Sequence, residues 1–238
     1  MKLVYLVLDG AADSLEHRPT PLEAAETPGL DSLARRARGG MHFSVGRGYA
    51  PESDAAVLSL LGYDPGKYYT GRGPLEALGA GIRIREGWEV AFRANFATVD
   101  PGSRRIIDRR AGRSLSSDEA HKLAEALDNM ELMGGEAYAR VRATIGHRAV
   151  VVLGHRRHRL SGNVDNTDPA YVRRGRVSVA VPEPLFIIRQ ARPLDPSPEA
   201  RLTAQLANEF TDKAIEVLDD HPVNRDRAAR GLPKANAV

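Results

Sequence analysis

EVAFRANFATVDPGSRRIIDRRAGR, residues 89–113, decides what kind of fold the centre of this chain builds. Two runs rich in apolar and β-branched residues flank Asp100-Pro101-Gly102-Ser103, a tetrapeptide made of turn residues, so the stretch predicts an antiparallel hairpin. Side chains alternate along a strand, which places Val90, Phe92, Ala94 and Phe96 on one face and projects Arg93 and Asn95 together from the other. Asp108, Arg109, Arg110 and Arg113 follow directly. Charges on a hairpin are commonly just solvated. Their density around one turn fits an anion cradle instead, because a ligand carrying both carboxylate and phosphate takes bidentate partners.

Working outward, the residues before this stretch have a different character. KLVYLVL, residues 2–8, is a continuous apolar run ending in Asp9-Gly10, which reads as a buried strand whose end presents a carboxylate to a loop. In open α/β sheets ligands bind at that end of the strands. TPGLDSLARRAR (27–38) reads as a helix, MHFSV (41–45) as a strand, GRGYAPE (46–52) as a loop, and an apolar helix follows over about 54–61. This β-α-β-α opening predicts an α/β doubly wound sheet over 1–74. Two strands and two helices are too few to cover both faces of such a sheet, so either the chain folds another way or the sheet, incomplete here, is completed by residues not present. Downstream, a helix over roughly 116–130 begins at a Ser-Ser-Asp-Glu cap. Strands near 138–145 and 148–153 come next, then a polar loop and a helix over about 198–220 that ends at His221-Pro222. Residues 75–220 therefore read as an α+β unit.

Composition narrows the function classes. The chain has 238 residues and a net charge of +3, with arginine far outnumbering lysine, and arginine's planar fork suits phosphate and carboxylate. Aromatics make up 5%, and they do not interleave with the basic residues as single-strand nucleic-acid binders require, so a small anion is the better partner. There are no cysteines, which leaves carboxylate, imidazole or hydroxyl to hold any metal. No stretch has the roughly 20 apolar residues of a membrane span. A cytoplasmic protein without nucleic-acid or membrane partners is expected.

YLVLDG (5–10), TPLEAAETPGLDSLA (20–34), SDAAVLSLLGYDPGKYYTGRGPLEALGAGI (53–82), AFRANFATVD (91–100), IIDRRAGR (106–113), NTDP (166–169) and HPVNRDRAARGLPKAN (221–236) occur in this order. With these strings the chain resembles the archaeal-type 2,3-bisphosphoglycerate-independent phosphoglycerate mutases, members of the alkaline phosphatase superfamily. The resemblance implies an alkaline-phosphatase-like domain carrying two divalent metal ions, manganese or magnesium, and a serine nucleophile. An inserted substrate-binding domain interrupts it, and residues 221–238 form the return segment. It also implies that the chain is the N-terminal part of a longer enzyme, with a second polypeptide as one way to complete the domain. The reaction implied interconverts 3-phosphoglycerate and 2-phosphoglycerate through a phosphoserine. Two alternatives stand beside it: a metal-dependent phosphomonoesterase, and a phosphoglycerate-binding fragment without turnover.

Each site residue has an ordinary reading beside the one carried over. Asp9 before glycine is a turn residue or, by the resemblance, a metal ligand. Ser53 is a helix cap or the nucleophile and second metal-binding residue, since a hydroxyl at a helix N-terminus can serve in both ways. Arg93, Asn95, Asp108, Arg109, Arg110 and Arg113 are a solvated surface or the substrate cradle. Asp168 is the aspartate of an Asp-Pro turn or a partner for the glycerate hydroxyls. Arg72 lies in a glycine-containing segment that reads as a hinge. DEAH (118–121), DDHP (219–222) and the Asp13/His17 pair are assigned to structure, and GHRRHRL (154–160) reads as a basic loop, solvated or phosphate-facing rather than a metal site.

Overall fold

The computed structural model describes residues 2–8, 10–11, 15–40, 42–47, 53–174, 177–181 and 183–238, with the backbone alone at 174 and 177–180. The chain divides into two units, Met1–Tyr68 and Tyr69–Val238.

Among its described residues the first unit contains four short helices, α1 (Pro21–Ala24), α2 (Pro28–Ala34), α3 (Ser53–Leu60) and α4 (Pro65–Tyr68). A capping box starts α1: Thr20 Oγ1 accepts from the Glu23 N–H at 3.2 Å, and the Glu23 carboxylate accepts from the Thr20 N–H at 2.9 Å, satisfying two orphan donors of the first turn. The strands expected at 2–8 and 41–45 form no ladder among the described residues. Leu3 is 88% exposed, and Val4, Tyr5 and Leu6 are exposed with it. A strand exists only through a neighbour that takes its N–H and C=O groups, so an apolar sequence without that neighbour stays irregular. The doubly wound sheet is accordingly not formed by the described residues.

The second unit is α+β. It runs α5 (Arg72–Gly79), β1 (Glu89–Asn95), β2 (Thr98–Val99), β3 (Ile106–Asp108), α6 (Ser117–Leu127), β4 (Met130–Leu132), β5 (Ala137–Ala143), β6 (Arg148–His155), β7 (Tyr171–Arg174), β8 (Val177–Ala180), α7 (Pro198–Asp219) and α8 (Pro222–Ala229). The main sheet has the order β1-β6-β5-β4, antiparallel throughout. The hairpin across the 100–103 turn is smaller than the sequence suggests, joining only β2 to β3. Strand β1 instead pairs over its whole length with β6, Glu89 opposite Gly154 and Asn95 opposite Arg148. The reason is packing: β1 has one apolar face, Val90, Phe92 and Ala94, and Ala91 on the other, and a larger sheet with helices on both sides covers both.

Val90, Phe92 and Ala94 join Val141, Val151 and Leu153 on one face, under α6 and α7. Burying leucines such as Leu123 and Leu127 of α6 contributes about 1.5–3 kcal/mol each. On the other face, Ala91, Val150 and Val152 pack against Ala77 of α5 and Ile82. Helix α5 lies so close that a Cβ on Gly73 would sit 2.0 Å from the Ala91 carbonyl oxygen. That close approach accounts for glycine at this position. Residues 221–238 are packed into this unit: Asn224 donates to the Leu218 and Ala235 carbonyls at 2.8 and 3.0 Å, and Ala97 N–H donates to Ala237 O at 2.9 Å.

Candidate functional site

Beyond the end of α5, the α5 side of the sheet becomes polar. Arg93 and Asn95 point there from β1, as their alternation predicts, and Arg148 stands directly opposite Asn95 on β6. Arg93 is half-buried and its Nε lies 3.4 Å from Glu76 Oε1 of α5. Burial lowers its pKa, the neighbouring Arg72 and Arg148 charges add to that, and Glu76 partly offsets them. Arg93 Nε and Asn95 Oδ1 are buried polar atoms without a hydrogen-bond partner among the described residues. Such atoms are costly unless something completes them. They aim at the same side of the sheet.

The 3-10 turn Ala111–Arg113 and the end of β3 bring the second group of arginines. Arg109 Nε donates to both Asp168 carboxylate oxygens, at 3.0 and 3.1 Å, and Arg109 Nη2 makes a further bond to Asp168 Oδ2. Its guanidinium carbon lies 5.2 Å from the centre of the Tyr171 ring. Burial works against the Arg109 charge, but Asp168 and then Tyr171 outweigh it and raise its pKa. Asp108 is used locally, its Oδ1 accepting the Arg110 N–H at 2.6 Å. An open cleft of about 420 Å³ is lined by Ile106, Ile107, Asp108, Arg109, Arg110, Gly112, Arg113 and Phe186, a volume within the range of small-molecule sites.

His147 links the two groups. It precedes β6, and its pKa is lowered first by burial and then by the charges of Arg110, Arg148, Arg93 and Arg113. Arg93 of β1, Arg148 of β6 and the loop arginines therefore share one electrostatic neighbourhood. The sequence reading of residues 89–113 named six residues of this region and did not name His147, Arg148 or Tyr171. Arg148 was findable in principle, since a residue facing Asn95 follows once β1 is paired with β6, but that pairing is a long-range choice. The chemistry of the region suits a small polyanion: guanidinium groups stand on strand and loop, Asp168 and Tyr171 orient one of them, and Asn95 carries an acceptor for a hydroxyl.

Ser53 belongs to the first unit and opens α3 as an exposed residue. Asp9 and Asp13 lie outside the described residues. Among the described residues no group of three His, Asp or Glu side chains could hold a metal ion, so the donors present do not by themselves make a metal centre. The strings assigned to structure have structural partners. Glu119 of DEAH completes the α6 capping box with Ser116. Asp219 of DDHP accepts from Asn236 and Lys234 at 2.7 and 3.1 Å, and His221 caps α8. In GHRRHRL the buried His155 accepts the Arg157 and His158 N–H groups, each at 3.0 Å. No helix among the described residues is long and apolar enough to cross a membrane.

Residues 34–224 match the family described as 2,3-bisphosphoglycerate-independent phosphoglycerate mutase. A protein of that name from Aeropyrum pernix is 58% identical over all of this chain, which covers 56% of it. One from Methanopyrus kandleri is 42% identical, again over the whole chain, covering 53% of that protein. Among solved structures, the cofactor-independent phosphoglycerate mutase from Thermoplasma acidophilum DSM 1728 is similar, with a TM-score of 0.57 and 37% identity over 79% of this chain and 45% of that one. The chain thus spans about half the length of the relatives it matches.

Proposed function

The chain belongs to the 2,3-bisphosphoglycerate-independent phosphoglycerate mutase family, and from that premise we propose that its second unit is the phosphoglycerate-binding half of a mutase whose nucleophile is Ser53. The observation that carries the reading is that Arg109, Arg110 and Arg113 line an open cleft, with the charges of Arg110, Arg113, Arg93 and Arg148 all acting on His147. A phosphoglycerate bears a phosphate and a carboxylate at its two ends and a hydroxyl between them. Guanidinium groups arriving from both strand and loop match two anionic ends, while Asn95 Oδ1 and the Asp168 carboxylate are acceptors for the hydroxyl.

In the proposed reaction the Ser53 oxygen bonds to phosphorus as the bond to the 3-oxygen breaks, the serine proton passing to that oxygen. The glycerate reorients while its carboxylate stays on arginine, and the 2-oxygen then bonds to phosphorus as the bond to Ser53 breaks, the 2-hydroxyl proton returning to the serine. Excluding water separates this from hydrolysis. The reading includes two divalent ions, manganese or magnesium, which would supply positive charge to the phosphoryl oxygens. It places their remaining ligands in the part of the relatives' length that this chain does not span, with a second polypeptide as one way to supply it. Residues 2–8 fit this, being an exposed apolar run of strand length that would enter the doubly wound sheet once a neighbour supplies the ladder. The phosphomonoesterase reading differs only in letting water take the phosphoryl group.

The test is titration of the 238-residue chain with 3-phosphoglycerate by calorimetry, followed by a turnover assay with manganese. Saturable one-to-one binding that weakens with added salt is expected, without formation of 2-phosphoglycerate. Absence of binding overturns the assignment of the cleft. Release of inorganic phosphate moves the reading to the phosphomonoesterase, and robust isomerisation by these 238 residues alone overturns the placement of the remaining metal ligands outside them.

A further inference from the structure

The loop that carries Arg110 and Arg113 into the cleft has an unfavourable backbone. Ala111, Gly112 and Arg113 have φ of +47°, +66° and +52°, and two of these three are L-residues in the left-handed region, which disfavours a side chain. Such a run persists only where its surroundings over-determine it.

Those surroundings come from α8 and the segment after it. Arg227 of α8 is fully buried, with 0% of its side chain exposed. Its Nη2 donates to Ser114 Oγ at 2.8 Å, and Ser114 Oγ in turn donates to the Ala111 carbonyl at 3.1 Å. Its Nη1 donates to the Ser114 carbonyl at 3.3 Å and to Glu119 Oε2 at 2.9 Å, and its Nε to the Pro233 carbonyl at 2.9 Å. Pro233 lies against the same turn, close enough that a Cβ on Gly112 would sit 2.8 Å from its Cγ. A buried guanidinium has to be hydrogen-bonded on most of its donors. Docking α8 onto α6 would be met by Glu119 alone. Two of the bonds go instead to Ser114, the residue that closes the left-handed run.

We propose that Arg227 is a positioning residue for the anion cleft, acting through the Ser114 hydroxyl on the Ala111 carbonyl to hold Arg110 and Arg113 where they line it. The proposal rests on the reading of that cleft as the phosphoglycerate site. Arg227 does not line the cleft; its effect on binding is transmitted through the backbone of 111–113.

The test uses the full chain with Ser114→Ala and Ser114→Thr, and Arg227→Met as a further variant. Amide resonances of 111–113 are recorded by NMR, and 3-phosphoglycerate affinity is measured by calorimetry. Ser114→Ala is expected to shift the 111–113 resonances and weaken binding about tenfold, the effect of losing one well-placed hydrogen bond. Ser114→Thr keeps the hydroxyl and restores both, which a role confined to stability would not do. If Arg227→Met fails to fold, the Ser114 pair still decides. Ser114→Ala with wild-type 111–113 resonances and wild-type affinity overturns the proposal, as does Ser114→Thr behaving like Ser114→Ala. Should the wild-type chain bind no phosphoglycerate, the functional reading fails, while the 111–113 resonances of the two variants still decide whether the relay holds the loop.

Discussion

Arg109 lines the cleft with its guanidinium already paired to the Asp168 carboxylate. Its bidentate contact with Asp168 and its place over Tyr171 fix the plane of the guanidinium, so an arriving phosphate meets an oriented fork and needs no side-chain search. Lysine has one point charge on a flexible stem and cannot serve Asp168 and a phosphate together. Arg109→Lys is therefore expected to weaken 3-phosphoglycerate binding about tenfold or more, with little change in thermal stability, as read by calorimetric titration beside a melting curve. Unaltered affinity would show that Arg109 is a structural partner of Asp168 only. At this scale the sequence was informative about residue type: Arg93, Asn95 and Arg109 could be named from alternation and density. It was silent about Arg148 and His147, whose neighbours are set by strand pairing between segments far apart in the chain.

Among elements, α6 and α7 were legible because each carries its own start signal and an apolar stripe. Ser116 and Glu119 cap α6, and Ser197 with Pro198 open α7. Strand β1 was recognisable as a strand but not in its partner, since any apolar neighbour satisfies an alternating pattern equally well. The register is enforced by the helix above it. Because Gly73 lies against the backbone of Ala91 and Phe92, Gly73→Ala pushes α5 away from β1 and is expected to cost about 1–3 kcal/mol by overpacking. Urea unfolding checks this, and a midpoint equal to wild type would mean that α5 can shift without loss. The glycines around Arg72 were read as hinge residues; at Gly73 the close contact is a sufficient reason for glycine.

For the whole molecule, the second unit buries both faces of its sheet, with one apolar cluster under α5 and another under α6 and α7, whereas the apolar residues 3–8 of the first unit remain exposed. Three histidines in the second unit respond to acid together. Burial comes first at His147, His155 and His221, followed by nearby positive charge, and all three are lowered below the usual value of 6.5. A group with a depressed folded-state pKa contributes stability that is complete above its unfolded value and is lost as pH falls toward the folded one. The thermal midpoint is thus expected to fall as pH drops below 6.5, before the lowered carboxylates Glu89, Glu119 and Asp219 begin to take up protons. Calorimetric melts at a series of pH values check this, and a midpoint that holds steady until the carboxylate range would contradict it. Protonation also removes the Nδ1 acceptors of His155 and His221 from the N–H groups they now serve.

By itself the sequence determined what is local: the helix caps, the alternation of β1, the turn at 100–103 and the supply of arginines for an anion, because each depends on residues a few positions apart. Only the tertiary structure decided that β1 pairs with β6, that His147 and Arg148 join the arginines, and that Arg227 reaches the arginine loop from the far end of the chain. Those contacts are chosen by shape and by the need to satisfy buried polar groups, which a local pattern does not encode.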